Sequence, residues 1–357
     1  MKIAVIVPAL VNQGPVLVAK DIISGILKNN TDDINFTVFY FDEKIEVNFP
    51  CKTQKIRLND NIDFSCYDII HSHMLRPDYF VWKNRKKLKN IPKISTLHQD
   101  IIQNLSASYN KLIALMAFSL WMRFLKSFNR IVVLSENMKK LYCNNIPLEK
   151  LTTIYNGRDN VKSAGKIDTE DLMSINQLKT KYTLIGVVAL LTKRKGVHQL
   201  LKAMVELEGF ALIIVGDGKE KPMLISMAEE LGINDRCIFL GYKSNGKDYM
   251  EYIDIFAMTS YSEGFPLSVL EFSQYNKPVI CSSIPLFQEL FSKNEVSFFE
   301  LDNTESLQKA IINAKENYEE LGNNLPKRVK KEYSYNSMID NYYKLYQSLL
   351  KDNTKIL

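Results

Sequence analysis

Two glutamates, Glu263 and Glu271, bracket a turn whose residue types are typical of a ligand-binding loop. Gly264 and Pro266 mark the turn, and Pro266 suits the first position of the helix that follows. A turn of this kind aims free backbone N–H groups out of the carboxyl end of a sheet, where ligands bind in open α/β folds. These N–H groups and the helix dipole favour an anion, while carboxylates accept sugar hydroxyls. The stretch would therefore suit a nucleotide-sugar.

The segments on either side of the turn must position these carboxylates. Residues 254–259 form an apolar run that predicts a buried strand, and the apolar periodicity of residues 267–275 predicts a helix. Glu263 stands before this helix and Glu271 lies about one turn inside it. The alternative is an ordinary strand, turn and helix, with a solvated Glu263 and a Glu271 on the helix surface.

Length and composition predict a soluble chain of two domains. The 357 residues suit two domains of ordinary size, and the hydrophobic (46%) and charged (24%) fractions are those of a globular protein. The five cysteines include no C-x-x-C, which disfavours a disulfide framework and a zinc site and favours a reducing compartment. No apolar run approaches the ~20 residues of a membrane span, and the apolar start is too short for a signal-peptide core. We therefore expect a cytoplasmic protein.

The net charge of +6 is concentrated in one segment. Residues 80–130 contain ten Lys or Arg and one acid, Asp100, so the rest of the chain is net negative. Such a basic face can contact nucleic acid or an anionic membrane. The segment has no nucleic-acid-binding motif, and its apolar run at residues 112–122 points instead to the inner face of a cell membrane. The length of that run also fits a helix in the core, and it favours core over membrane contact.

Strand and helix signals alternate along the first half of the chain. The predicted strands are residues 2–8, 34–41, 68–71, 93–97, 131–134 and 151–155, and the predicted helices are 15–28, 78–90, 106–128 and 136–143. After Asn156 and Gly157, a polar stretch to about Lys181 predicts a linker.

The alternation restarts in the second half. The predicted strands are residues 183–189, 210–215, 237–240, 254–259, 277–281 and 296–301. Strands alternating with helices predict parallel, doubly wound sheets. The predicted fold class is therefore α/β, with two Rossmann-like domains facing across a cleft. We expect the first domain to span residues 1–160 and the second 161–334, with an aromatic-rich helix at about 335–357 crossing back to the first.

The ordered set of motifs resembles the retaining glycosyltransferases of family 4, which have the two-domain GT-B fold. The resemblance covers nearly the whole chain and is densest from Gly186 to Ser282. The family's Glu-x7-Glu pattern matches Glu263 and Glu271, in the run E-G-F-P-L-S-V-L-E. The other matches are Lys195-Gly196 for K-G, Gly216-Asp217-Gly218 for G-D-G, Ser135 after a first-domain strand, Asn156-Gly157 at the interdomain hinge, and Tyr335 to Tyr346 in the terminal helix. Each match alone is weak, but the ordered set is specific.

The resemblance implies a donor site built on the second domain. Lys195 would neutralise the donor diphosphate, and Glu271 would accept hydrogen bonds from the ribose hydroxyls. Glu263 would hold the transferred sugar and the distal phosphate together with the loop backbone. The loop residues expected to contribute are Gly264, Phe265, Pro266 and Leu267.

The resemblance also implies roles outside this loop. Gly14, in the loop after the first strand, would let backbone approach the phosphate or acceptor closely. His98, at the end of a first-domain strand, would lie under the sugar and stabilise its developing positive charge by a backbone or ring contact. Gly216 would belong to the donor site, and the base would be recognised near Tyr242. The expected catalytic residues are thus His98, Lys195 and Glu263.

One position departs from the family pattern. The family has G-R five residues before the lysine of K-G, and this chain has Ala189 and Leu190 there. A phosphate-binding cation is therefore missing from its usual place. Arg194, next to Lys195, is the candidate replacement, although adjacent side chains on a turn are expected to diverge.

Several of these residues have plainer interpretations. Gly216-Asp217-Gly218 alone is typical of a turn, and Lys195 could be a solvated loop lysine. His71, His73 and His98 could suggest a metal cluster. However, we expect the His-x-His pair to place one ring in the core and one in solvent, with no third ligand suitably spaced.

The resemblance implies a glycosyltransferase without a cofactor, and we expect it to need no metal, because a helix N-terminus and Lys195 can offset the charge of the leaving diphosphate. It would move a hexose-type sugar, with retention, from a nucleoside diphosphate sugar to a hydroxyl acceptor on a cell-surface polysaccharide or lipid-linked glycan. A UDP-sugar is the expected donor, and nucleic acid is not an expected partner. Two alternatives stay open. One is a nucleotide-sugar 2-epimerase of the same fold. The other is a non-catalytic partner subunit, which the missing arginine at Leu190 leaves possible.

Overall fold

The computed structural model describes residues 1–29, 34–102, 110–158 and 165–354, with side chains as far as Lys351. The chain divides into two compact units: unit 1 is Met1–Gly157 with Ser334–Leu357, and unit 2 is Arg158–Tyr333. The divisions fall close to the expected boundaries at residues 160 and 334. Each unit is built on one parallel sheet.

The described part of unit 1 contains seven parallel strands. They are β1 (Lys2–Val7), β2 (Asn35–Tyr40), β3 (Lys52–Lys55), β4 (Ile69–His73), β5 (Lys93–Leu97), β6 (Arg130–Val133) and β7 (Leu151–Thr153). Their order in the sheet is β3-β2-β1-β4-β5-β6-β7, so the winding direction reverses between β1 and β4. β4 and β5 are buried along their whole length, as expected for central strands covered on both faces. Ligands of such sheets bind at the carboxyl ends of the strands beside this reversal.

Four helices of unit 1 lie wholly within the described residues that precede the division between the units. They are α1 (Gly14–Asn29), α2 (Leu75–Lys83), α3 (Lys111–Leu125) and α4 (Glu136–Tyr142). α2 begins and ends earlier than the predicted 78–90, because the chain turns after Asn84, whose side-chain amide donates to the Phe80 carbonyl at 3.0 Å. The first residues of the predicted helix at 106–128 lie outside the described ranges.

Unit 2 contains six parallel strands and seven helices within its described part. The strands are β8 (Thr183–Val188), β9 (Phe210–Val215), β10 (Cys237–Gly241), β11 (Ile255–Met258), β12 (Val279–Ser282) and β13 (Ser297–Phe299), in the order β10-β9-β8-β11-β12-β13. The helices are α5 (Thr169–Lys179), α6 (Val197–Met204), α7 (Lys221–Glu230), α8 (Leu267–Ser273), α9 (Pro285–Leu290), α10 (Thr304–Glu316) and α11 (Tyr318–Glu332). The reversal of winding lies between β8 and β11.

The last helix of the chain, α12 (Tyr335–Thr354), belongs to unit 1. It packs closely on α1, where a Cβ atom at Gly25 would come within 2.5 Å of the Ile339 side chain. The Tyr335 hydroxyl donates to the carbonyl of Asp21 at 2.8 Å, and Tyr342 and Tyr346 are fully buried. The aromatic residues that predicted a returning helix therefore anchor it in the first core.

Two elements were missed because their sequences are polar. β3 pairs in parallel with β2 at the sheet edge, and all four of its residues are exposed, so it has no apolar pattern. α5 lies inside the stretch predicted as a linker. Asp168 caps it by accepting from the Glu170 amide, and it buries only Ile175 and Leu178, which is too little to produce a recognisable period.

Candidate active site

The loops that follow β8, β9 and β10 are joined by backbone contacts at the carboxyl edge of the unit 2 sheet. The Gly216 amide donates to Gly241 at 2.8 Å, and the Leu191 amide donates to Asp217 at 2.8 Å. At Gly216, a Cβ atom would lie 1.8 Å from the carbonyl oxygen of Ala189. Gly216 therefore allows two loops to touch, which explains its place in the motif without a ligand.

The turn that carries Lys195 is locked to the loop after β11. Gly196 has φ +63°, and a Cβ atom there would lie 2.2 Å from the Thr259 carbonyl oxygen. The Tyr261 amide donates to Arg194 at 2.8 Å, and the Thr259 hydroxyl donates to the Lys195 carbonyl at 2.9 Å. Gly196 is thus required for this close approach, which fixes both basic residues beside Glu263.

Glu263 is a buried carboxylate held by two cations. Only 7% of its side chain is exposed. Its Oε1 accepts from Lys195 Nζ and from the Ser260 hydroxyl, both at 2.6 Å, and its Oε2 accepts from Arg194 at 3.1 Å. Burial alone would raise the pKa of Glu263, but the charges of Lys195 and Arg194 hold that pKa below its usual value. The interpretation of Glu263 as a solvated loop residue is therefore wrong.

Arg194 and Lys195 do not diverge as expected for neighbours on a turn. Arg194 also donates to the Ser262 carbonyl at 2.6 Å, so its guanidinium is fixed against the same loop. The two cations and one carboxylate carry a net charge of +1. A carboxylate has about four acceptor positions, and described residues occupy three of those on Glu263, which leaves one position open among them.

The turn before α8 differs in detail from the prediction. Pro266 is the residue before the helix rather than its first residue. The Leu267 amide donates to the Phe265 carbonyl at 2.9 Å, so it is not aimed at a ligand. The Gly264 amide makes no hydrogen bond within the described part of the chain. The Phe265 ring is buried and packs edge-on against Tyr333 at 5.9 Å, which makes this side chain structural.

Glu271 lies in α8 and is paired with Arg158. The guanidinium Nε and the carboxylate Oε1 are 3.0 Å apart, and the two side chains are 12% and 28% exposed. Sequence reasoning missed Arg158, which follows Asn156-Gly157 and gives no signal of a partner more than a hundred residues away. The partly exposed carboxylate of Glu271 is neither buried in the core nor a solvated surface acid.

Tyr242 and Leu190 both project into solvent, each 66% exposed. Tyr242 follows β10, and the loop that carries it is fixed by Lys243, whose ammonium lies 2.5 Å from the Asp171 carboxylate. Asp171 also accepts from the Tyr249 hydroxyl at 2.5 Å. α5, missed in the sequence, thus positions the loop that was expected to recognise the base.

Unit 1 brings His71, His73 and His98 together in its interior. The expectation that one ring of His71 and His73 would face solvent is wrong, since residues two apart on a strand share a face. Both rings are buried, with centroids 4.3 Å apart, and His73 Nδ1 lies 2.8 Å from His98 Nε2. Burial lowers the pKa of His71 and of His98 to about 3. Among the residues that the structure describes, no group of His, Cys, Asp or Glu is arranged to hold a metal ion.

Gly14 is the first residue of α1. The loop before it is ordered by the Asn12 amide, which donates to the Glu46 carboxylate at 2.9 Å. Gly14 and His98 belong to unit 1, whereas the remaining predicted site residues belong to unit 2.

The basic segment at residues 80–130 presents an apolar helix face. α3 buries Ala114, Phe118, Trp121, Met122, Phe124 and Leu125. Its large apolar side chains that are exposed are Leu112 (69%), Ile113 (46%), Leu115 (44%), Met116 (66%) and Leu120 (52%). The run is therefore part core and part surface. Lys93 does not contribute to the surface charge, since it is buried and donates to the carbonyls of Leu88 and Ile91.

No helix within the described ranges is long and apolar enough to cross a membrane. All five cysteines are free thiols.

Two family models match the two halves of the chain. The model described as Glycosyltransferase Family 4 matches residues 46–161, and the model described as Glycosyl transferases group 1 matches residues 168–332. The second match contains Arg194, Lys195, Glu263 and Glu271.

Two bacterial glycosyltransferases are similar in sequence to this chain. The Escherichia coli O-antigen biosynthesis glycosyltransferase WclY is 29% identical over 358 residues, which cover 99% of each chain. The Campylobacter jejuni N-acetylgalactosamine-N,N'-diacetylbacillosaminyl-diphospho-undecaprenol 4-alpha-N-acetylgalactosaminyltransferase is 30% identical over 179 residues, which cover 49% of this chain and 47% of that one.

Solved structures share the fold over nearly the whole length. Anabaena Alr3699/HepE in complex with UDP and glucose has a TM-score of 0.79 at 17% identity, covering 98% of this chain and 100% of that chain. Sucrose-phosphate synthase from Thermosynechococcus elongatus has a TM-score of 0.80 at 17% identity, covering 98% and 99%. With glycosyltransferase families matching both halves and two Rossmann-like units of this fold, the chain is a family 4-like glycosyltransferase with the GT-B fold.

Proposed function

We propose that this protein transfers a hexose-type sugar from a nucleoside diphosphate sugar to a hydroxyl acceptor in the synthesis of a cell-surface polysaccharide or lipid-linked glycan. The observation that carries the proposal is the buried Glu263 carboxylate between Arg194 and Lys195 at the carboxyl edge of the unit 2 sheet. WclY is named for O-antigen biosynthesis, and HepE binds UDP and glucose, which supports a UDP-sugar as the donor.

The two cations would stabilise the leaving diphosphate. Lys195 and Arg194 are held within 3.1 Å of one carboxylate and keep a net positive charge among the three groups. Cations fixed in advance on a partly buried loop stabilise charge that develops in the transition state. This arrangement would serve the role of a divalent metal, so the transfer requires none. Arg194 then takes the place of the arginine that is missing at Leu190.

The sugar and the ribose would be held by the two glutamates. The unoccupied acceptor position on Glu263 and the Gly264 amide suit the transferred sugar and the distal phosphate. Glu271 would accept from the ribose hydroxyls while Arg158 holds its carboxylate in place. Retention would follow from attack on the same face as the leaving group. A covalent route needs a nucleophilic carboxylate. The buried Asp78 of unit 1 is a poor candidate, because its carboxylate already accepts hydrogen bonds from Ser72, Ser95 and Trp121.

The acceptor would be reached at an anionic membrane surface. The exposed apolar side chains of α3 lie next to exposed basic residues, of which Lys111 and Arg123 are on the same helix. Apolar side chains that insert at the interface and lysines near anionic lipid each contribute to peripheral binding. A lipid-linked acceptor would then be held at the same surface as the enzyme.

Incubation of the protein with a panel of nucleoside diphosphate sugars, with and without a hydroxyl acceptor, tests the proposal. We expect free nucleoside diphosphate to be released in the presence of acceptor, together with a glycosylated product. Release of nucleoside diphosphate and an altered sugar from donor alone would indicate the 2-epimerase alternative. If the protein bound the donor but glycosylated none of the acceptors extracted from the membrane, it would be a non-catalytic subunit.

A further inference from the structure

His73 and His98 form a pair of nearly parallel rings in edge-to-edge contact at the carboxyl ends of neighbouring strands. His73 is the last residue of β4, and His98 directly follows β5. Their ring centroids are 5.1 Å apart, with His73 Nδ1 2.8 Å from His98 Nε2. His73 is 1% exposed and His98 9% exposed. The contact is therefore a hydrogen bond between two shielded imidazoles.

The two rings share one proton along this contact. Burial is the largest cause that lowers the pKa of both histidines, so each ring is neutral near pH 7. A neutral imidazole has one donor nitrogen and one acceptor nitrogen. Two arrangements are possible: either His73 Nδ1–H donates to His98 Nε2, or His98 Nε2–H donates to His73 Nδ1. They differ in which nitrogen of His98 presents a proton to its surroundings.

The other nitrogen of His73 distinguishes the two arrangements. His73 Nε2 is buried and has no hydrogen-bond partner among the described residues. His71, the adjacent ring, cannot supply one, because its Nδ1 contacts the Tyr346 hydroxyl at 2.7 Å and its Nε2 contacts Thr96 at 2.8 Å. If His98 donated, His73 would carry a buried N–H without an acceptor, and orphaned buried N–H groups are rare. If His73 donates, Nε2 carries only an unpartnered lone pair.

We propose that His73 is a positioning residue that donates Nδ1–H to His98 Nε2 and thereby fixes the proton of His98 on Nδ1. His98 then presents an N–H donor toward its ligand. This inference rests on the proposed function, together with the expectation from the sequence that His98 contacts the transferred sugar. A ring N–H turns the positive end of its dipole toward an acceptor, so the His98 ring would donate to a hydroxyl or phosphate oxygen of the sugar donor. Stabilisation of the developing positive charge falls to the backbone rather than to the imidazole.

Nitrogen-15 labelling of histidine tests the proton position directly, since the chain has only four histidines. Proton–nitrogen correlation spectra of the full-length protein near pH 7 report which nitrogen of each ring is protonated. We expect His73 and His98 both to carry the proton on Nδ1. Assignment follows from the signals lost in His73→Asn and His98→Ala variants. A His98 ring protonated on Nε2 would overturn the proposal.

Two substitutions of His73 separate positioning from simple packing. The side-chain amide of His73→Asn can donate from nearly the same place as Nδ1, so His98 should keep its tautomer and the enzyme most of its kcat. His73→Leu fills similar space without a donor, so His98 should become a mixture of tautomers and kcat should fall about tenfold, with a smaller change in KM. An unchanged tautomer of His71, which is held by Tyr346 and Thr96, and an unchanged spectrum of His198 control for folding. An unchanged His98 tautomer in His73→Leu contradicts the proposal.

The spectra and the kinetics distinguish this inference from the proposed function. If His98→Ala retained full transfer activity while the tautomers followed the expected pattern, the role of His98 at the sugar would be wrong, and the control of its proton by His73 would stand. If the tautomers did not follow the pattern, the inference about His73 would be wrong whatever the activity.

Discussion

Replacement of Glu263 by glutamine should destabilise unit 2 because it leaves two fixed cations without their counter-charge. Glutamine keeps the shape of the side chain and a hydrogen bond to Ser260, but it loses the charge that pairs with Lys195 and Arg194. Removal of one partner from a buried ion pair costs ~3–5 kcal/mol. Because the Lys195 side chain is 16% exposed, we expect breaking its ion pair with Glu263 to lower the free energy of unfolding by about 3 kcal/mol, the low end of that range. Arg194 is 34% exposed and adds only ~0–1 kcal/mol.

The expected loss is large enough to measure by calorimetry. For a unit of this size, ~3 kcal/mol corresponds to a fall in Tm of roughly 6–12 °C. The matched control is Glu305→Gln, which removes an exposed ion pair with Lys309 and should not change the Tm measurably. UDP should restore much of the loss in Glu263→Gln, because its diphosphate supplies the missing negative charge to the same cations.

The pH dependence gives a second measure of the same interaction. The pKa of Glu263 is lower in the folded protein than in the unfolded chain. The stability that its ionised form contributes is therefore fully present above the unfolded pKa, ~4.3, and is lost as the pH falls through the folded pKa. The difference in Tm between wild type and Glu263→Gln should shrink in acid. A loss no larger than that of Glu305→Gln, or one that persists unchanged in acid, would refute the assignment of Glu263 as the partner of both cations.

Three further predictions concern the donor and the membrane. Arg194→Ala should weaken binding of UDP by ~1.5–3 kcal/mol in titration calorimetry. Replacement of the exposed neighbouring residue, Lys193→Ala, should have little effect. Equal effects of the two substitutions would show that only the local charge matters. Glu271→Gln should reduce kcat/KM by a factor that corresponds to a loss of ~1.5–3 kcal/mol in transition-state binding, mainly through a higher KM for the donor. A donor without the ribose 2′-hydroxyl should have a lower kcat/KM on the wild type, with little further decrease on Glu271→Gln. If the effects of the missing hydroxyl and of the substitution simply add, Glu271 does not contact the ribose. The protein should sediment with anionic vesicles at low salt and less at high salt, and Leu112→Ser with Met116→Ser should reduce sedimentation; equal binding to neutral vesicles would rule out the electrostatic part.

The alternation of apolar segments was enough to predict both parallel sheets, because buried strands and amphipathic helices carry their pattern locally. The same logic failed where an element is held by partners rather than by its own apolar residues. β3 is polar and depends on pairing with β2, and α5 is tied to the rest of unit 2 by Asp171 through Lys243 and Tyr249.

Motif spacing predicted the candidate site residues but not the residues that hold them in place. Glu263 could be located from the sequence, whereas the convergence of Arg194 and Lys195 on it depends on the positive φ angle of Gly196 and the close contact with Thr259. Arg158 gave no signal, and His73 was noted only as a possible metal ligand, because an ion pair or an N–H···N contact between distant residues leaves no period or composition bias in the chain.

The two points where the chain passes between the units have a consequence for how the protein can be rearranged. Within unit 2, the Arg158 amide donates to the Tyr333 carbonyl at 3.3 Å, so the first and last residues of that unit are neighbours. Within unit 1, Gly157 approaches Ser334 so closely that a Cβ atom would lie 2.2 Å from its carbonyl oxygen. Unit 2 is therefore topologically an insertion into unit 1, with its entrance and exit side by side. A gene segment encoding residues 158–333 can be excised as one block, and circular permutants of unit 2 need only a short peptide to join its original ends.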